Sequence, residues 1–315
     1  MRTVRNIVVL SLMALLMSEC AFSHRTSDAV LPLSEADAAP IVVPFRLLSN
    51  HMIAVEAQLD SIKGYFIFDS GSPVTMVNSR YFPPLRKRQE GSSRIVDVSG
   101  GTLAGRATYP SHELDFQGIK VSGKEYLSIQ MSQMAEEDGM EPLGMLGTET
   151  VEGYDILFDY QDSTLTLIPP ADTDAYIGSR YPGSRKTEIA AEVVEHVLCV
   201  PVQIGEDVYQ LALDSGAGGN IFSNLYRRQL APHSRPVGAM ELMGVSRIPV
   251  RATEIQVHRM DIGGRSFENT HFLLHDLRAM GVSTDDGIDG LAGYDILSQQ
   301  KTLVSLTSRR VIFID

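Results

Sequence analysis

The chain contains no tryptophan, only two cysteines, and fewer basic than acidic residues. Each shortage excludes something. Cys20 sits in an N-terminal leader, which leaves Cys199 as the one thiol of the folded body, so no disulfide framework holds this protein together. Cys199 lies between Leu198 and Val200 in an apolar strand and reads as a small core residue; no histidine-bearing motif accompanies it to make it a nucleophile. Twenty-seven Lys and Arg against thirty-nine Asp and Glu leave a formal charge of −12, which disfavours nucleic-acid binding. The N-terminal apolar run, Ile7 to Met17, has 11 residues, where a membrane-spanning helix needs about 20.

What is present fits a packed core. Hydrophobic residues make up 43% and charged residues 21% of 315, enough chain for two domains. Arg2 and Arg5 ahead of the apolar run make residues 1–23 an expected export signal. Ala21-Phe22-Ser23 offers small residues for ordinary cleavage. Alternatively Cys20 becomes a lipidated N-terminus, although Glu19 stands where a lipobox has a small residue. The mature protein is then expected in the periplasm, or anchored to a membrane of a bacterial envelope. Residues 24–40 lack periodicity and read as a tether or lead-in.

The body is written twice. Ile53, Val55, Ala57 and Leu59 alternate with polar or small residues, the period of a half-buried strand. After a turn, Tyr65 to Phe68 returns as an apolar strand and runs into Asp69-Ser70-Gly71. Leu198, Val200, Val202 and Ile204 repeat the alternation, and Val208 to Leu213 runs into Asp214-Ser215-Gly216, each landmark 145 residues on. Met145-Leu146-Gly147 and Leu291-Ala292-Gly293 lie 146 apart, as do the closing strands at Leu165 and Val311. The identical pentapeptides at Gly153–Leu157 and Gly293–Leu297 are 140 apart and break this register, so they read as coincidence. Boundaries of 41–168 and 187–315 follow, joined by a linker over 169–186 that is rich in Pro, Gly, Asp and Ser. Short helical turns are expected at Met131–Glu137 and after Gly147 and Gly293.

A lone Asp-Ser-Gly is a weak signal. Two, each ending an apolar strand and each followed about 76 residues later by an apolar-apolar-Gly element, resemble the aspartic proteases, and the compact retropepsin-like group more closely than the long pepsins. The resemblance covers nearly all of residues 41–315. It implies an all-β fold: two pseudo-symmetric retropepsin-like β-barrel lobes with the active-site cleft between them. It implies Asp69 and Asp214 as a catalytic dyad. Ser70 and Ser215 would bond across to the opposite loop, and Gly71 and Gly216 would allow the tight turn. Flap hairpins over the cleft would place Ser99, Gly100, Gly101 and Gly244 near substrate, with no counterpart of the pepsins' flap tyrosine. The implied activity is that of an exported, single-chain, monomeric endopeptidase acting on peptides or proteins, with no metal or other cofactor.

Two other readings compete. One is a catalytically silent binding protein of the cell envelope on the same fold. The other is a glycan-handling protein, whose carboxyls would stand about 5–9.5 Å apart on loops of unlike sequence; two like loops meeting at an axis argue against it. His271 and His275, with Asp276 beside them, share one strand face but offer too few ligands for a metal site, and read as a strand edge. The acidic run Glu136–Asp138 and the basic run Arg86–Arg88 read as solvated loops or helix faces.

Overall fold

The computed structural model describes residues 7–9, 14–16, 39–87, 94–96, 102–103, 107–131, 138–243, 249–280, 282 and 287–315. It is an all-β protein with short helical pieces. The first half runs β1 (Ile41–Leu47), β2 (Ile53–Leu59), β3 (Ile62–Phe68), β4 (Met76–Asn78), β5 (Arg86–Lys87), β6 (Ala107–Pro110), β7 (Glu113–Phe116), β8 (Ile119–Ser122), β9 (Glu125–Ile129), β10 (Gly144–Leu146), β11 (Asp155–Asp159) and β12 (Thr164–Ile168). The second runs β13 (Lys186–Ala190), β14 (Val197–Ile204), β15 (Asp207–Leu213), β16 (Ile221–Ser223), β17 (Ser234–Met243), β18 (Val250–Ile262), β19 (Arg265–His275), β20 (Gly290–Ala292), β21 (Lys301–Ser305) and β22 (Arg310–Ile314).

The pairings recur between the halves. β3 lies parallel to β10, β10 antiparallel to β4, and β4 parallel to β9. Likewise β15 lies parallel to β20, β20 antiparallel to β16, and β16 parallel to β19. The chain therefore leaves the end of β3 or β15, makes its loop, and returns on the far side of an inserted strand. β3 and β15 lie inside their sheets, and Phe66, Ile67, Phe68, Leu211, Ala212 and Leu213 are all buried, which is why both runs are apolar on both faces.

In the second half, β14, β15, β20, β16, β19 and β18 close on one another as a six-stranded barrel, because β18 pairs with both β19 and β14. The corresponding stretch of the first half is broken into β6 and β7 at Pro110-Ser111. Proline has no N–H to continue a ladder. Asp60 bridges the break by accepting the N–H groups of His112 and Glu113 and the hydroxyl of Tyr109 at 2.7–3.0 Å.

A six-stranded antiparallel layer, in the order β13-β22-β21-β11-β12-β1, joins the halves. At its centre Leu157 faces Leu303, the same position of the two copies. An antiparallel pair in which equivalent residues oppose each other is what an approximate two-fold axis between the halves produces. Phe158 leads from this layer into the first half's core, with ring centroids 6.3 Å from Phe68 and 6.5 Å from Tyr160.

Several expectations change. The linker holds a helix that the sequence does not announce: Pro170–Asp172 forms a single 3₁₀ turn and Thr173–Arg180 an α-helix. Thr173 donates its hydroxyl to Asp155 at 2.7 Å, and Ile177 packs with Leu157, Ile168 and Leu303. Arg86-Lys87 of the basic run is a short strand paired with β6, not a loop. The turns after Gly147 and Gly293 are present, as a 3₁₀ turn at Thr148–Val151 and a helical turn at Tyr294–Leu297. The pentapeptide coincidence is real: Asp155–Leu157 opens a strand while Tyr294–Leu297 is helical. Of the turn expected at Met131–Glu137, residues 132–137 lie outside the described residues, as does Cys20. Ile7–Val9 and Ala14–Leu16 pair as short strands with β17 and Arg94–Val96. Among the described residues no helix is long and apolar enough to cross a membrane.

Phe158→Ala should cost about 3–5 kcal/mol, because it opens a cavity where the joining layer meets the core. Urea denaturation of the two proteins checks this.

Candidate active site

Two loops meet between the halves, each placed by the strand before it. Asp69 donates its backbone N–H to Leu146 O at 3.0 Å and Asp214 donates to Ala292 O at 3.1 Å, so both acids continue the parallel pairing of β3 with β10 and of β15 with β20. Ser72 N–H then turns back to Asp69 O and Ala217 N–H to Asp214 O, both at 3.3 Å. Within each loop the acid accepts the N–H two residues on: Gly71 to Asp69 Oδ1 at 2.9 Å, Gly216 to Asp214 Oδ1 at 2.8 Å.

The serines cross over. Ser70 N–H donates to Ser215 Oγ at 3.0 Å and Ser215 N–H to Ser70 Oγ at 2.9 Å. Ser215 Oγ–H continues to Phe68 O at 3.3 Å. Each hydroxyl thus satisfies a backbone donor of the other loop, and neither loop can move alone without leaving a half-buried N–H unpaired.

The glycines set the approach. A Cβ on Gly71 would lie 2.5 Å from the Asp214 carboxyl carbon, and one on Gly216 would lie 2.4 Å from that of Asp69. Each acid therefore occupies the space that a side chain on the other loop would fill. The sequence reading placed Asp69, Ser70, Gly71, Asp214, Ser215 and Gly216 together, and the structure brings all six together.

Both aspartates are fully buried, at 0% exposure. Burial pushes Asp214 up to about 6; the backbone N–H groups of Gly216, Gly71 and Ala217 and a hydrogen bond with the Asp69 side chain pull the other way. Asp214 Oδ2 receives no N–H or hydroxyl from the described residues. Two carboxylates repel, whereas an acid and a carboxylate hydrogen-bond, so the pair is built to hold one proton between its members.

A second ring of repeated residues supports the loops. Thr75 Oγ1 accepts from Gly147 N–H at 3.1 Å, and Asn220 Oδ1 accepts from Gly293 N–H at 2.8 Å. Glu149 accepts the N–H of Thr75 at 2.7 Å, and Asp295 is hydrogen-bonded by the N–H of Asn220. Burial holds the carboxyls of Glu149 and Asp295 above the ordinary range, with those backbone bonds opposing it. The sequence reading missed all four. The signal was available, since Thr75 and Asn220 are 145 apart and Glu149 and Asp295 are 146 apart.

Other candidates fall elsewhere. Ser99, Gly100, Gly101 and Gly244 lie outside the described residues; among the described ones β5 pairs with β6 and β17 with β18. His271 bonds through Nδ1–H to Glu254 at 2.7 Å while its Nε2 accepts from Gln256 at 2.9 Å; a carboxylate can only accept, which fixes the tautomer. Among the described residues no group of three or more His, Cys, Asp or Glu side chains is placed to hold a metal. Cys199 is buried in β14, with its thiol pushed up to about 12 by burial, in keeping with a packing role. No protein-family model matches the chain, and no curated protein does.

Two outcomes are expected. Gly216→Ala must displace the Asp69 loop and should cost about 1–3 kcal/mol. Gly178→Ala, with open space around it in the Thr173–Arg180 helix, should instead stabilise by about 0.5–1 kcal/mol. Thermal or urea melts separate the two signs. The second concerns pH. The folded value of Asp214, about 6, lies above its ordinary 3.8, so this acid costs no stability below pH 3.8 and a growing amount as pH rises to 6. The stability of wild type relative to Asp214→Asn should therefore fall across that window and level off above it. A flat difference would remove the raised value.

Proposed function

We propose that this chain is an aspartic endopeptidase whose two retropepsin-like lobes each supply one acid of the dyad, Asp69 and Asp214. The observation that carries the reading is the reciprocal crossing of the loops. Like strands end in like Asp-Ser-Gly turns, each serine bonds the opposite backbone, and each acid fills the Cβ space of the opposite glycine. A binding surface alone has no need to bury two carboxyls against each other; proton sharing does.

The chemistry follows from one proton on two acids. The ionised member accepts a proton from a water held between them, and that water attacks the scissile carbonyl. The protonated member donates a hydrogen bond to the carbonyl oxygen and stabilises the charge that develops there. The proton then passes to the leaving amine. The N–H groups of Gly71 and Gly216, each bonded to the acid of its own loop, hold the carboxyls in place through the cycle. An extended peptide would lie between the halves under the β5–β6 and β17–β18 hairpins, and export in the mature form suits an envelope or extracellular peptide substrate. The silent binding protein differs from this in one respect, that the dyad turns nothing over.

Cleavage of a diverse peptide library between pH 3 and 7 tests it. Wild type should cleave best in acid and lose activity above pH 6, where the pair gives up its shared proton. Asp69→Asn and Asp214→Asn should each lose about a thousandfold or more. Cleavage by Asp214→Asn at the wild-type rate would sink the proposal, and peptide binding without cleavage by wild type would favour the silent binder.

A further inference from the structure

Two histidines cross between the halves onto the loops that carry the acids. His196, from the turn before β14, places Nε2 2.9 Å from Gly71 O. His51, from the turn before β2, places Nδ1 3.0 Å from Gly218 O. They lie 145 residues apart, the register of the aspartates themselves. A carbonyl oxygen only accepts, so each facing nitrogen carries its hydrogen: Nε2–H in His196 and Nδ1–H in His51.

Both contacts end on the dyad's own scaffold. Gly71 sends its N–H to Asp69 Oδ1 and has the Asp214 carboxyl in its Cβ space, and the next peptide unit, whose carbonyl His196 grips, sends the Ser72 N–H to Asp69 O, so the residue held by His196 adjoins both acids. On the other side the His51 ring stacks on Tyr294, with centroids 4.1 Å apart and planes 15° apart. Tyr294 N–H bonds Ala217 O at 3.0 Å, one residue before the carbonyl that His51 holds. His51 and Tyr294 thereby pin adjacent carbonyls of the Asp214 loop. The charged groups around them are Asp295, which feels His51 and His271, and Glu195, whose carboxylate is 3.9 Å from His196 Nδ1.

We propose that His51 and His196 are paired positioning residues for the dyad, each reaching from one half to fix, through a backbone carbonyl, the loop bearing the other half's acid. Two reciprocal serine bonds lock the loops to each other at the axis; the histidines fix their tilt from outside it. Loss of His196 releases the Gly71–Ser72 peptide, which frees the Gly71 residue to shift and weakens its own N–H donation, one of the contacts that hold down the proton affinity of the pair. The kinetic consequence rests on the endopeptidase reading; the consequence for titration does not.

The test is a titration of the protein labelled with ¹³C at the aspartate carboxyls, with the Asp214 signal assigned by its absence in Asp214→Asn. Four further proteins are compared: wild type, His196→Gln, His196→Met and His51→Asn. The Gln side-chain nitrogen can take the place of His Nε2, and that of Asn the place of His Nδ1, so both keep a donor; Met keeps bulk and gives up the donor. In His196→Met the Asp214 midpoint should move up by about 0.5 unit or more. In His196→Gln and His51→Asn it should stay with wild type. With a cleaved peptide in hand, His196→Met should lose about tenfold in kcat with KM nearly unchanged, and Gln should restore it. A Met midpoint equal to wild type, or a Gln midpoint equal to Met, overturns the proposal, whatever happens to the melting temperature. Should wild type cleave nothing, the endopeptidase reading falls while the titration still decides the role of His196.

Discussion

Everything in this protein defers to the placing of two carboxyl groups side by side, out of water. Such a pair is unfavourable when both are ionised and is relieved when they share a proton. It also has to be held, because any slack would let the acids separate and take solvent. The crossed bonds of Ser70 and Ser215 provide that hold, and the missing side chains of Gly71 and Gly216 provide the room. Hydrogen bonds and a steric gap do different jobs here: the first fixes the loops in place, the second sets how closely they approach.

The rest of the chain delivers these loops to one point. Each acid is carried at the end of a strand buried on both faces, with a parallel partner at its side. The joining layer registers the halves through Leu157 and Leu303, so that equivalent loops arrive face to face. The symmetry is approximate, and its departures are local. Pro110 breaks a strand that runs unbroken through β18, and the histidines grip carbonyls at slightly different places in the two loops.

Much of this is legible in the sequence. The apolar strands ending in Asp-Ser-Gly, and the constant offset of 145 or 146, mark the acids, serines and glycines, because local pattern and repetition report on the same positions. The supporting residues repeat at that offset too, but Thr75 and Asn220 differ in type, as do Glu149 and Asp295, and a search for identical residues passes them over. The linker helix was hidden by composition. Gly178 and Ser179 weaken it locally, whereas Thr173 against Asp155 and Ile177 in the joining layer hold it in place.

The two copies of Gly-Tyr-Asp-Ile-Leu mark the boundary between what each level decides. One enters a central strand and the other a helical turn, from the same five side chains. The sequence alone determined that this is a duplicated β protein, which residues form its two acidic turns, and which runs are buried, because those facts are carried by periodicity and repetition along the chain. Only the tertiary structure decided that the turns meet, which hydroxyl bonds which backbone, and that histidines reach across to hold them. Those contacts join residues 125 to 167 positions apart, where no local preference acts and only the packing of the two halves sets the distance.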